Sequence, residues 1–277
     1  MSRARRWVAG GGPVVGRVGR WVADHWVLVA GLFVLGGLLL PVAIVVGLSF
    51  NRPSSRLSYD FDAFTLDNWT DPCGPAGMCA ALWRSVQIGL VSTVVATLIG
   101  TLMAFALARY RFRGRSATNV LVFLPMATPE VVLGSSLLAL FGAARVPLGF
   151  WTVVIAHVMF CVSFVVVTVR ARLAGLDPRL EEAAADLYAG PWQVFRRVTL
   201  PLALPGIVSA ALLAFSLSFD DFIITNFNAG TMTTFPMYVW GAAQRGIPPQ
   251  VNVISTTMFA LSLLLVLLTT RRSRSRS

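Results

Sequence analysis

Six apolar stretches, each near the length that crosses a bilayer, alternate with polar connections along this chain. They run from Trp26 to Phe50, Ser85 to Ala108, Asn119 to Phe141, Phe150 to Val169, Pro205 to Phe227 and Val251 to Thr270. A helix rises about 1.5 Å per residue, so roughly 20 apolar residues span a hydrocarbon core of about 30 Å. The apolar positions run on without the shorter alternating pattern of barrel strands. The expected fold is therefore all-α and polytopic, with six transmembrane helices. Its organisation is a basic tail over 1–25, a first helix over 26–50 and a long loop over 51–84. A five-helix core follows over 85–270, with one large polar insert at 171–204, and a basic tail closes the chain at 271–277. The first apolar stretch is too long for a signal-peptide core and no small-residue cleavage pattern follows it, so it reads as a retained span.

Charge settles the orientation. The chain is 56% hydrophobic and only 13% charged, where a soluble domain would carry about a quarter. Its net charge of +11 comes from arginine alone; there is no lysine. Of the 23 basic residues, eighteen fall in the two tails, in the connection Arg109 to Arg115, and in the connection Arg170 to Arg197; the other side has Arg52, Arg56, Arg84, Arg145 and Arg245. The positive-inside rule places the first group, and both termini, in the cytoplasm. The arginines then lie beside membrane lipid headgroups, and the high pI needs no nucleic-acid partner. Without lysine no P-loop can exist, so any ATP is hydrolysed by another chain. Cys161 lies in an apolar stretch as a packing residue. Cys73 and Cys79 share the polar loop DPCGPAGMC, where a disulfide is open to them if the loop faces an oxidising exterior.

The polar insert is more ordered than a linker. Asp177 and Pro178 form a helix start, and Glu181, Glu182 and Asp186 suit the positive end of that helix's dipole. Ala183, Ala184 and Ala185 leave a small-residue face that another surface can approach. Ala189, Gly190 and Pro191 break the helix. A second short helix is expected from Trp192 to Val198, with Trp192 and Phe195 on one face. Leu200, Pro201 and Pro205 then redirect the chain into the fifth span.

Three carboxylates lie within apolar stretches. Glu130 stands about eleven residues, roughly 17 Å, into the third span, after the helix breakers Pro125 and Pro129. Asp220 and Asp221 fall in the outer half of the fifth. An intramembrane carboxylate is a candidate for a substrate pathway; the alternatives are a structural acid bonded to a neighbouring helix for Glu130, and a cap or turn of the helix end for the aspartate pair. His157, alone in its span with no second ligand at metal-binding spacing, reads as a packed, hydrogen-bonded histidine. No HExxH or GxSxG occurs, and no catalytic or metal site is expected.

The insert LEEAAADLYAGPWQVFRRVTLPLALP resembles the EAA loop of ABC importer permeases of the binding-protein-dependent type. That pattern is E-A-A, three residues, a glycine, a spacer, and I-x-L-P. Glu182-Ala183-Ala184 supplies its start and Val198-Thr199-Leu200-Pro201 its end. Tyr188 stands where the glycine belongs and Gly190 follows, which allows a turn displaced by two residues. The likeness extends from about residue 81 to residue 268; LPMATPEVVLG, SFDDFIITNFNAG and TFPMYVWGAAQRGIPPQVNVIST look like the second permease subunit of spermidine/putrescine importers. The resemblance implies a type I ABC importer transmembrane domain in a bacterial cytoplasmic membrane, moving polyamine by alternating access. Glu181, Glu182, Ala183, Ala184, Asp186, Tyr188, Gly190, Leu200 and Pro201 would form the ATPase-coupling loop. Glu130, Asp220 and Asp221 would line the pathway of a polycation. Implied partners are a P-loop ATPase dimer that binds ATP and Mg, a second homologous permease subunit and an extracytoplasmic solute-binding protein, with no cofactor in this chain. Another small solute as cargo, or a non-transport membrane scaffold, are the competing readings.

Overall fold

In lipid every backbone N–H and C=O must be satisfied within the protein, which leaves helices as the open choice for a chain of this pattern. The computed structural model describes residues 15–55 and 60–274, with side chains for 25–55 and 60–264; the outermost tail residues, with Arg3, Arg5, Arg6 and Arg276, and Arg56 lie outside the described residues. In chain order the helices are α1 (Val15–Ser49), α2 (Asp67–Thr70), α3 (Met78–Arg109), α4 (Arg115–Ala127), α5 (Glu130–Ala143), α6 (Phe150–Ala174), α7 (Arg179–Asp186), α8 (Pro191–Val194), a π-helical turn (Phe195–Thr199), α9 (Leu200–Asp220), α10 (Ile223–Asn228), α11 (Phe235–Ala243) and α12 (Pro249–Arg274). Among the described residues, strand-type pairing is limited to one isolated bridge, Asn51 to Phe64.

Two units result, residues 1–74 with 246–277, and residues 75–245. In the first, α1 packs along α12. The loop after α1 is held by Asn51, whose side chain donates to the Asp60 carbonyl and accepts the Asp62 N–H, and by Asn68, which donates to the carbonyls of Ser49 and Asn51. Phe50 stacks on Phe64 and Trp69 at 5.7 and 5.3 Å. The Ser54 N–H donates to Asp62 at 2.6 Å and holds that carboxyl below the usual carboxylate range. Cys73 and Cys79 are both disulfide-bonded, and Cys161 is free and buried.

The second unit is built on α3, α6 and α9. Ala81, Ser85, Gly89, Ser92, Ala96, Gly100 and Ala104 recur every three or four residues along α3 and are buried. Lipid tails are as apolar as leucine, so helices associate by close packing, and a small-residue stripe permits it. At Gly100 a Cβ would lie 2.7 Å from the side chain of Val165 on α6. The core continues through Val165, Val166 and Val169 on α6 and Ala203, Ala210 and Ala214 on α9.

The chain is the expected all-helical polytopic fold, with different span boundaries. Among the described residues four helices are long and apolar enough to cross a membrane: His25–Ser49, α3, α6 and the continuous run Pro191–Asp220. The second span starts at Met78 rather than Ser85. The third is no single rod: α4 and α5 are bent by 108° at their junction. Thr128 precedes a proline and is extended (φ −85°, ψ 131°), and its hydroxyl donates to the Leu124 carbonyl at 2.7 Å. The fifth span starts well before Pro205 and ends at Asp220. Leu200, Pro201 and Pro205 do not redirect the chain. Pro201 has no N–H for the Arg197 carbonyl, and the turn before it is wound as a π-helix in which the Leu200 N–H reaches the Phe195 carbonyl, so α8 runs into α9 without a corner. The described apolar part of α12, Pro249–Leu264, is shorter than the other spans.

Candidate functional site

Two places gather the polar chemistry of this chain. The first is the insert between α6 and α9. Asp177 accepts the Arg179 N–H at 3.0 Å and opens α7, with Pro178 as its cap residue. Glu181 and Glu182 occupy the first turn, where the helix dipole favours negative charge. Their roles separate. Glu181 accepts from the Arg109 guanidinium at the end of α3 and from the Thr199 hydroxyl of the π-turn at 2.8 Å, so it fixes α7 to both. Glu182, Ala183 and Asp186 are exposed and Ala184 is half-buried, leaving a small acidic face open. That Glu181 is a strut was not apparent in the sequence, because its partners lie 72 and 18 residues away.

The turn after α7 is not displaced. Tyr188 has φ +59°, the left-handed conformation a glycine takes at a helix end, whereas Gly190 is extended at φ −66° and caps α8 ahead of Pro191. Tyr188 is 98% exposed, so its ring is supported by no packing of its own. Trp192 stacks on Phe195 at 5.5 Å, and Phe195 meets Phe105 of α3 edge-on at 5.3 Å.

The second place lies where two helices break. Glu130 is the first residue of α5 and is exposed; it lies within electrostatic reach of both Asp220 and Asp221. The structure therefore unites three carboxylates separated by some ninety positions of sequence. Asp220 ends α9 and is exposed, beside carbonyls that carry the negative end of the dipole. Carboxylates and a helix C-terminus together favour a cation.

Asp221, expected on the pathway, is instead a buried and satisfied acid. Its Oδ2 accepts the Thr225 N–H and hydroxyl, both at 2.8 Å, and lies 3.2 Å from His157 Nε2; its Oδ1 accepts the Ile224 N–H. It caps α10, the alternative left open for the aspartate pair. His157 is the packed, bonded residue expected: Nε2 also meets Thr225 Oγ1 at 2.9 Å, and Nδ1 meets Ser218 Oγ at 2.7 Å. Serine, histidine and aspartate thus touch in series, but Ser218 is 4% exposed and His157 2%, leaving a substrate no approach to a nucleophile. The cluster ties α6 to the break. Asn228 extends the frame by donating to the Gly134 carbonyl of α5, and Thr152 of α6 donates to the Asn228 carbonyl. Sequence order hid these contacts: His157 lies more than sixty positions from each of its partners.

The family follows from the chain's likeness to known proteins. Residues 96–273 match the family described as "Binding-protein-dependent transport system inner membrane component". The chain belongs to this family. Among its relatives is the "Spermidine/putrescine transport system permease protein PotC" of Haemophilus influenzae, 40% identical over 233 residues, covering 83% of this chain and 90% of that protein. The "Putrescine transport system permease protein PotI" of Escherichia coli K12 is 36% identical over 244 residues, covering 85% and 86%. A crystal structure of "a bacterial ABC transporter involved in the import of the acidic polysaccharide alginate" superposes with a TM-score of 0.67 at 16% identity, over 93% of this chain and 98% of that one. At that identity the match speaks for fold, that of a type I ABC importer transmembrane domain. This inner membrane component is a transport subunit of the permease kind, not an enzyme.

Proposed function

We propose that this permease carries polyamine into the cell as one of two homologous subunits, driven by a P-loop ATPase dimer and supplied by an extracytoplasmic binding protein. The observation that carries the cargo is the identity of about two positions in five, across nearly the whole of a spermidine/putrescine permease. The carboxylates support it physically. A polyamine is a flexible polycation, and desolvating it unpaired is costly; Glu130 and Asp220 are exposed at neighbouring helix breaks and offer two charges. Both termini are cytoplasmic in this reading, α12 completes a sixth span, and alternating access moves the breaks between the two sides. ATP and Mg bind to the ATPase. Glu182, Ala183, Ala184 and Asp186 meet that ATPase, while Glu181, Leu200 and Pro201 transmit its motion.

The test is uptake of labelled spermidine by vesicles holding the assembled complex. Glu130→Gln and Asp220→Asn keep shape and remove charge. Each should lower uptake about tenfold, the equivalent of roughly 1.4 kcal/mol, with assembly and basal ATP hydrolysis unchanged. Uptake at the unmodified rate by both variants would make these carboxylates structural.

A further inference from the structure

A cavity of about 640 Å³ opens between the end of α3, the start of α4 and the end of α6, away from the carboxylate cluster. Three guanidinium groups line it. Arg109 is neutralised by Glu181. Arg115 and Arg170 have neutral partners: Arg115 donates to the Leu107 carbonyl at 2.8 Å, and Arg170 to Asn119 Oδ1 at 2.8 Å. Both are half-buried, and among the described residues no aspartate or glutamate lines the cavity. Two positive charges are therefore held in a partly desolvated place without a counter-charge, and each guanidinium has five N–H groups of which one is engaged here. The other walls are apolar, including Leu107, Phe123, Val167 and Leu173. Phe123 is half-exposed on α4, so the apolar wall continues onto the outer surface of the helix.

An arginine pair above an apolar wall matches a phosphate joined to an acyl chain. We propose that this cavity binds the headgroup phosphate of an anionic phospholipid, held by Arg115 and Arg170, with its chain along Val167 and Phe123. The site adjoins the coupling insert: Leu176 and Pro178 line it, and Arg109 links it to Glu181 of α7. Lipid occupancy would hold the ends of α3 and α6 together and steady the root of α7. This rests on the membrane assignment and not on the cargo.

The experiment titrates phosphatidylglycerol into the delipidated full-length chain in detergent and counts bound lipid by native mass spectrometry. Arg115→Gln and Arg170→Gln each retain an amide donor and should weaken phosphatidylglycerol binding roughly fivefold, the effect of about 1 kcal/mol per arginine near a membrane surface. Arg113→Gln, on the exposed connection before α4, should change nothing, and circular dichroism should match for all three. Phosphatidylcholine, with no net charge, should bind several-fold more weakly to the unmodified chain. Equal phosphatidylglycerol binding by the unmodified chain and both cavity variants would overturn the site. Displacement of the lipid by glycerol 3-phosphate at equal potency would show that the cavity takes a soluble phosphate, and would overturn the lipid assignment.

Discussion

Tyr188 carries a conformational cost that its neighbours do not. A side chain in the left-handed region costs about 1–2 kcal/mol, and this ring packs on nothing within the chain. Tyr188→Gly should therefore raise thermal stability, by an amount near 1 kcal/mol. An exposed aromatic at the tip of the loop proposed to dock the ATPase is also a contact available to that partner, so the same variant should capture less ATPase on co-purification, while Tyr188→Phe should capture it normally. A fall in stability for Tyr188→Gly would refute the strain argument. The position also marks how far sequence could be read: the family's glycine was recognisably missing, but a free glycine two residues on invited a displaced turn. Backbone dihedrals, not glycine content, located it. His157 is the reverse case. Its isolation in an apolar stretch was enough to mark it as packed and bonded, while its partners required the fold. Replacing it by leucine would leave Asp221, Ser218 and Thr225 short of a partner in a buried site, at roughly 1–3 kcal/mol per unsatisfied group. The measurable result is loss of folded protein in detergent. Asp221→Asn should act in the same way, on folding before uptake, in contrast to Asp220→Asn.

At the scale of elements, a single helical run from Pro191 to Asp220 joins the insert after α6 to the carboxylate break. About thirty residues at 1.5 Å each make a rod of roughly 45 Å. The sequence showed its start but not its continuity or its end, because prolines at 201 and 205 read as corners and the apolar stretch ran on to Phe227; one π-turn ahead of Pro201 is what lets the helix pass through. Glu181 braces this rod to α7 through Thr199, and α7 to α3 through Arg109. The ion pair is partly exposed and worth at most about 1 kcal/mol of stability, so its removal should alter coupling more than folding. Arg109→Glu should lower the uptake obtained per ATP hydrolysed, and Arg109→Glu with Glu181→Arg should restore part of it. No recovery in the double variant, with both single variants folded and impaired, would separate the two residues. The four long spans were legible because apolar length decides them. The 108° bend was half-legible: Pro129 announced a break, but its angle depends on Thr128 extending and on contacts of α5 with α10 and α6.

At the scale of the molecule, the proposed membrane orientation rests on charge and not on any contact between helices. The arginine-rich connections and tails fall on one side of the spans only if both termini share it, and short loops with excess arginine stay in the cytoplasm. Helix count and orientation are linked: the proposed arrangement, with both ends inside, needs an even number of crossings, and it has six when the bent α4–α5 pair counts as one crossing and α12 as the last. The same logic makes the native cysteines convenient. Cys161 is buried and Cys73 and Cys79 are bonded, so an introduced cysteine reports alone. Arg113→Cys, on an exposed connection, should be labelled by an impermeant maleimide only after the membrane is opened, and Ser54→Cys, on the loop after α1, in intact cells. If Arg113→Cys reacts from outside, α3 runs the other way. The EAA-like insert, which lies beyond two further crossings, would then face away from ATP, and a permease driven by a cytoplasmic ATPase could not be built on this chain.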